Sequence, residues 1–146
     1  MNAIVYRSYG PPDVLACEDV EKPTARDDQV LIKVRAASVN PLDWHFMRGE
    51  PYFLRMGSGL RKPKVTRLGV DLAGQVEAVG RNVTQCQPGD EVFGTSRGAF
   101  AEYVCAAGKV TPVIDRSYAL REVPEAIRYL EEGHARGKVL ITMDCK

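Results

Sequence analysis

The sequence predicts a mainly β, α+β domain, and three observations carry that expectation. Up to about residue 105, short β-branched runs alternate with Gly, Pro, Asn and Asp. Two short helical patterns interrupt them, the second followed by one last β-branched run. The chain has 146 residues, 45% hydrophobic and 27% charged, which suits one ordinary globular domain with a real core.

Strands are expected over residues 2–6, 14–20, 29–39, 74–79, 91–94 and 99–105. In 29–39, Val30, Ile32 and Val34 alternate with Leu31, Lys33 and Arg35, so one face is mostly buried and the other partly wet. The first helix opens at Asn40 and runs to about Gly49. Asn40 offers a capping oxygen, Pro41 a preset φ, and Asp43 a charge that suits the helix dipole. Residues 50–67 show no periodicity and set Arg55, Arg61, Lys62, Lys64 and Arg67 against the single acid Glu50. A structureless connection of that length points to a functional or mobile loop, its charge run either solvated or in contact with an anion.

Pro88-Gly89-Asp90 supplies the fixed φ and the positive-φ position of a type II turn feeding the next strand. The second helix places Val123, Ala126, Ile127 and Leu130 on one stripe and stops at Gly133, with Pro124 tolerated in its first turn. Burying Val123, Ile127 and Leu130 would contribute about 1.5–3 kcal/mol each, so this helix must dock. Residues 138–142 return as the final strand.

A formal net charge of +1 gives no global field to attract nucleic acid or anionic membrane, and neither is expected as a partner. The opening residues are not expected to form a secretory leader, and no apolar run approaches the roughly 20 residues needed to cross a bilayer. Cys17, Cys86, Cys105 and Cys145 form no Cys-x-x-Cys pair, and four free thiols in a reducing cytoplasm are expected. His45 and His134 have no ligand partners at metal-site spacing. A dinucleotide site needs a glycine-rich turn between a strand and a helix. Gly57-Ser58-Gly59 lacks both the third glycine and a preceding strand, and belongs to the loop.

Three ordered segments carry a resemblance: Gly69-Val70-Asp71-Leu72-Ala73-Gly74, then Val76, Val79-Gly80 and Val83, then Pro88-Gly89-Asp90-Glu91-Val92-Phe93-Gly94. Together they resemble the medium-chain dehydrogenase/reductase superfamily. Ala37-Ser38-Val39-Asn40-Pro41-Leu42-Asp43-Trp44 is similar to the matching segment of its zinc-free quinone oxidoreductase branch, and Gly98-Ala99-Phe100-Ala101-Glu102-Tyr103 to the strand that follows. The tail, with Pro124-Glu125-Ala126 and Gly137-Lys138-Val139, resembles the C-terminal segment of the same proteins.

The resemblance implies a GroES-like, partly open β-barrel with a C-terminal helix and strand. Residues 1–107 would be its first part and 108–146 its C-terminal return, one domain over 1–146. By this resemblance, the Rossmann domain that relatives insert at this junction is expected to be absent here. Zinc-dependent relatives bind catalytic metal through a Cys where this chain has Asn40 and a His where it has Val70, so no zinc is expected.

In the zinc-free branch a hydride passes from NADPH or NADH to a quinone or enone. There Asn40 corresponds to a residue at the nicotinamide end, a role compatible with its capping one. Arg136 and Lys138 would lie close to the cofactor, or form a solvated turn. Trp44 and Tyr52 would wall a planar substrate, or anchor core and loop. Without its nucleotide-binding domain the chain is expected to bind cofactor weakly and to turn over negligibly alone, and surface left uncovered would favour self-association. The alternative is a non-enzymatic binding module using the basic loop 48–67.

Overall fold

The alternation expected in residues 29–39 becomes the strand around which the fold is built. The computed structural model describes residues 1–106, 114–133 and 138–143. Its elements follow in the order β1 (Asn2–Tyr6), β2 (Leu15–Asp19), β3 (Val30–Val39), α1 (Pro41–Arg48), α2 (Leu54–Ser58), β4 (Asp71–Val79), β5 (Glu91–Thr95), β6 (Tyr103–Ala106), β7 (Ile114–Ala119), α3 (Val123–Glu131) and β8 (Lys138–Thr142). Strand β3 pairs with β4 along one edge; along the other it pairs first with β6 through Val30 to Lys33 and then with β8 through Ala36 to Val39. The resulting sheet runs β5-β4-β3-β8-β7 with β6 beside β3, and it ends at β5 and β7 rather than closing on itself. Hairpin β1-β2 forms a second sheet, joined to the first by bridges from Ala3 to Ala101 and from Val5 to Arg67.

The architecture is the mainly β one expected, and several boundaries differ for physical reasons. Strand β2 starts at Leu15 because Pro12 to Val14 coil into a single 3₁₀ turn. Strand β4 begins at Asp71 rather than Gly74: Asp71 is a poor strand former, held here by pairing with Ser38 and Thr95. Of the expected strand 99–105 only β6 is regular, Ala101 contributing the isolated bridge to Ala3. Strand β7 was not expected; it is polar, and its extended state rests on parallel pairing with β8. The turn at Pro88-Gly89-Asp90 forms as expected, with Gly89 at φ 100° and the Asp90 N–H donating to the Gln87 carbonyl at 3.1 Å.

Residues 50–67 are more ordered than their lack of periodicity suggested. They contain α2, and Arg55 ties them to the end of α1 by donating from Nε to the Gly49 carbonyl (2.9 Å) and from Nη2 to the Arg48 carbonyl (3.1 Å). A cation at a helix C-terminus satisfies carbonyls that have no intrahelical partner. The same guanidinium lies between the rings of Tyr9 and Tyr52, at 4.5 and 4.4 Å from their centroids. The Tyr9 hydroxyl donates to the Gly59 carbonyl at 2.6 Å, closing the far end of the loop.

One core lies between the sheets and α3. Val123, Ala126 and Ile127 are fully buried, and Leu130 is half-buried against the cluster that includes Ile4, Leu72, Phe100, Val139 and Ile141. The expected stripe is thus the docking face, and an ion pair between Arg48 and Glu131 (2.5 Å) fastens α3 to α1. The carboxylate beside Arg48 raises the guanidinium's pKa, against the opposing effect of burial. Cys86 and Cys105 are free thiols; Cys145 and His134 lie outside the described residues. Among the described residues no helix is long and apolar enough to cross a membrane.

Candidate functional site

The end of β3 and the start of α1 bring the chemistry of this chain together. Asn40 is extended at φ −124°, as an N-cap must be, and Pro41 follows at the first helical position. The capping device is built on Asp43: its carboxylate accepts the Asn40 backbone N–H at 2.7 Å and, with the other oxygen, the Gly69 N–H at 3.1 Å. Asp43 is 1% exposed, so these charge-assisted bonds are what make its burial tolerable. Gly69 is required on both counts the backbone can impose. Its φ is 93°, and a Cβ there would sit 2.6 Å from the Phe100 amide nitrogen.

Turned away from this cap, the Asn40 amide nitrogen approaches the Ser38 carbonyl and Asp71 Oδ2, each at 3.4 Å, and the Ser38 hydroxyl donates to the same Asp71 oxygen at 3.1 Å. Asp71 therefore holds the β3 end and the Asn40 side chain through hydrogen bonds. Strand pairing adds a further neighbour: Val39 faces Val139 in antiparallel register, which sets the backbone of Lys138 opposite Asn40. Arg136 lies outside the described residues.

Next to this corner, on the face of α1 that carries Leu42, Asp43 and Phe46, opens a cleft of about 170 Å³. Tyr6 from β1, Val65, Arg67 and Val70 from the approach to β4, and Arg97 beyond β5 complete it. Its walls are mostly apolar with a few convergent polar groups, the usual make-up of a small-molecule site. Burial pushes the Tyr6 phenol up to about 12, the charges of Tyr9 and Asp43 adding to the effect and Arg97 opposing it. Tyr6 and Arg97 were not expected from the sequence, because strands distant in the chain bring them together. The only local signal was Arg97 beside a glycine in a loop.

The two aromatic residues expected to share a wall are engaged separately. Trp44 is half-buried, packed on the core and stacked on His45 with ring centroids 4.0 Å apart. Tyr52 is 72% exposed and stacks on Arg55. Neither lines the cleft.

Metal and cofactor can be tested against these side chains. Asn40 and Val70 offer an amide already turned to Asp71 and an isopropyl group, which is no donor set for zinc. Among the described residues no three His, Cys, Asp or Glu side chains are grouped to hold a metal ion. At the Asn40 corner an amide and the start of β8 face each other. Gly57-Ser58-Gly59 closes α2 instead of opening a helix, and so forms no phosphate cradle.

Comparison with known proteins agrees with this geometry. The family model of the alcohol dehydrogenase GroES-like domain matches residues 26–115, and that of zinc-binding dehydrogenase matches 98–141. A quinone oxidoreductase of Lama guanicoe is 42% identical over 111 residues, covering 73% of this chain and 31% of that protein. A 2-methylene-furan-3-one reductase of Solanum lycopersicum is 35% identical, covering 91% of this chain and 36% of that protein. The chain thus spans about a third of the length of the curated relatives it matches.

Among solved structures, a mycobacterial protein complexed with NADPH is 31% identical with a TM-score of 0.62, over 76% of this chain and 34% of that one. The human synaptic vesicle membrane protein VAT-1 homolog-like protein superposes over 100% of this chain and 99% of that one with a TM-score of 0.85; at 13% identity this shows the fold alone. With most of its length matched by one family model, the chain belongs to the alcohol dehydrogenase GroES-like domain family of the medium-chain dehydrogenase/reductase superfamily.

Proposed function

We propose that this chain is the catalytic domain of a zinc-independent, NADPH- or NADH-dependent oxidoreductase acting on a quinone or an enone, with residues 1–146 as a single domain. The observation that carries the reading is the family match of residues 26–115, supported by relatives named as a quinone oxidoreductase and a furanone reductase. The amide of Asn40 and the side chain of Val70 support the zinc-free part, since neither is a zinc ligand.

Bound beside Asn40, the nicotinamide supplies the hydride, and this chain supplies position and electrostatics. Asp71 and Ser38 hold the Asn40 amide in one orientation, so that it meets its ligand preorganised. Arg136 and Lys138 are proposed as cofactor contacts on the family resemblance of the C-terminal segment. Leu42, Phe46, Val65 and Val70 give apolar walls to the cleft proposed to hold the acceptor carbonyl compound. Trp44, stacked on His45, and Tyr52, stacked on Arg55, are proposed to meet a planar substrate outside the cleft itself. Gly57-Ser58-Gly59 gives no helix N-terminus to cradle the cofactor's pyrophosphate. Cofactor affinity is therefore low, and turnover by the chain alone is negligible.

Thermal unfolding with and without NADPH, NADH and a quinone tests this. A ligand at 100 times its dissociation constant raises stability by about 2.7 kcal/mol. A raised midpoint with NADPH that disappears in Asn40→Ala supports the nicotinamide corner, whereas turnover of a quinone at ordinary enzyme rates would refute the expectation of an inactive isolated domain.

A second reading is favoured by one specific observation. Tyr52, Phe53, Met56 and Leu60 are all at least 67% exposed in the same segment as exposed Arg61, Lys62 and Lys64. Such a surface suits a protein or anionic partner or contact between copies of the chain. Retention of that partner when Arg61, Lys62 and Lys64 are made neutral would count against it.

A further inference from the structure

The cleft between α1 and the approach to β4 holds two cations that the fold does not use. Several other arginines of the described residues are spoken for: Arg7 pairs with Glu18, Arg48 with Glu131, Arg81 with Asp27, Arg128 with Asp13 and Glu125, and Arg55 with backbone carbonyls. Arg67 and Arg97 both line the cleft, and among the described residues neither has an ion pair or a side-chain hydrogen bond. The one acid in the wall, Asp43, is 1% exposed and has committed both oxygens to the N–H groups of Asn40 and Gly69. The Arg97 guanidinium stands 6.0 Å over the ring of Phe46, another wall residue, and the Arg67 side chain runs beside Gly98, where a Cβ would come 3.6 Å from its Nε. Both cations thus converge on one side of the cleft.

A third polar group faces the same space. Tyr6 is 3% exposed, it lines the cleft, and its hydroxyl has no hydrogen-bond partner among the described residues. No buried side-chain polar atom of the described residues lacks a partner, so this hydroxyl reaches the open space of the cleft, where it can bond a ligand atom. With apolar walls of Leu42, Phe46, Val65 and Val70, the cleft combines a slot for a planar body with donors at one end only. Its size, about 170 Å³, compares with the roughly 150 Å³ cavity that accommodates a benzene ring.

We propose that this cleft selects an acceptor carrying a carboxylate on a planar, conjugated body, with Arg97 and Arg67 as specificity-determining residues that bind the carboxylate and the Tyr6 hydroxyl as an additional donor. The inference rests on the oxidoreductase reading of the cleft and narrows its substrate from quinones and enones at large to anionic ones. Guanidinium is the cation whose planar fork matches a carboxylate, and charge-assisted bonds in a partly enclosed cleft are stronger than neutral ones.

The test uses the full chain and three non-reducing probes of similar shape: trans-cinnamate, its neutral amide trans-cinnamamide, and benzalacetone, a neutral enone. Binding is followed by amide NMR titration at low salt. Cinnamate is expected to bind at least about tenfold more tightly than cinnamamide, moving the amides of Leu42 and Val70. That preference should fall to near parity in Arg97→Gln and Arg67→Gln and recover in part in Arg97→Lys, which keeps the charge but not the fork. The folded spectrum of each variant serves as its control, since neither side chain supports the fold.

Equal affinity for cinnamate and cinnamamide, or a cinnamate preference untouched by both Gln variants, overturns the proposal. In that event benzalacetone still bound at Leu42 and Val70 leaves the broader cleft reading standing, whereas no probe bound there overturns both.

Discussion

Removing the Asp43 carboxylate is the sharpest perturbation this structure offers, because one buried group holds two backbone donors from separate segments. In Asp43→Ala the N–H groups of Asn40 and Gly69 lose acceptors now at 2.7 and 3.1 Å. A buried donor left without a partner costs about 1–3 kcal/mol, so the pair costs about 2–6 kcal/mol. Asn40 is only half-buried and can recruit water, while Gly69 is buried, which places the expected loss at about 3–5 kcal/mol. For a chain of this length each kcal/mol moves the thermal midpoint by roughly 2–4 °C, giving a fall of about 6–20 °C. Asp43→Asn keeps one acceptor oxygen and should lose about half as much.

Urea unfolding followed by circular dichroism supplies the free energies, with an unchanged denaturant slope showing that the two unfolded states are comparable. A cooperative Asp43→Ala protein destabilised by less than about 1 kcal/mol would refute the argument that this carboxylate joins α1 to the approach of β4.

Three further outcomes are expected. Ile127→Ala removes a fully buried side chain of the docking face of α3 and should cost about 2–5 kcal/mol by urea unfolding; a loss below 1 kcal/mol would mean that α3 is not docked. Arg55→Met removes two bonds to the end of α1 and two ring contacts, so amide exchange within residues 50–67 should accelerate at least about tenfold while core exchange stays the same. The Tyr6 phenol, pushed from 10.0 up to about 12 chiefly by burial, is held neutral by the fold. Its contribution is complete below about pH 10 and is lost as pH rises towards about 12, so the parent should lose more stability than Tyr6→Phe between pH 8 and pH 11. Equal losses in the two proteins would contradict that assignment.

What the sequence determined by itself is what short-range physics governs. The cap at Asn40-Pro41, the positive-φ turn at Gly89, the alternation of β3 and the stripe of α3 each depend on residues within a turn or a few strand positions, and all were legible. The ordered segments around Gly69-Val70-Asp71 and Pro88-Gly89-Asp90 likewise identified the family. Elements whose state depends on a distant partner were not legible. Polar β7 is extended because β8 lies beside it, Asp71 is in a strand because Ser38 and Thr95 flank it, and α2 is held by an arginine reaching back to the previous helix.

The site divides along the same line. Asn40 was readable because its role as a cap and its place in the family motif are both local. Only the tertiary structure could set Tyr6, Arg67 and Arg97 around one cleft, fold Asp43 inward and separate Trp44 from Tyr52. Convergence of side chains from β1, from the approach to β4 and from the loop after β5 is a property of sheet pairing, and pairing is decided by what each strand can bury against the others.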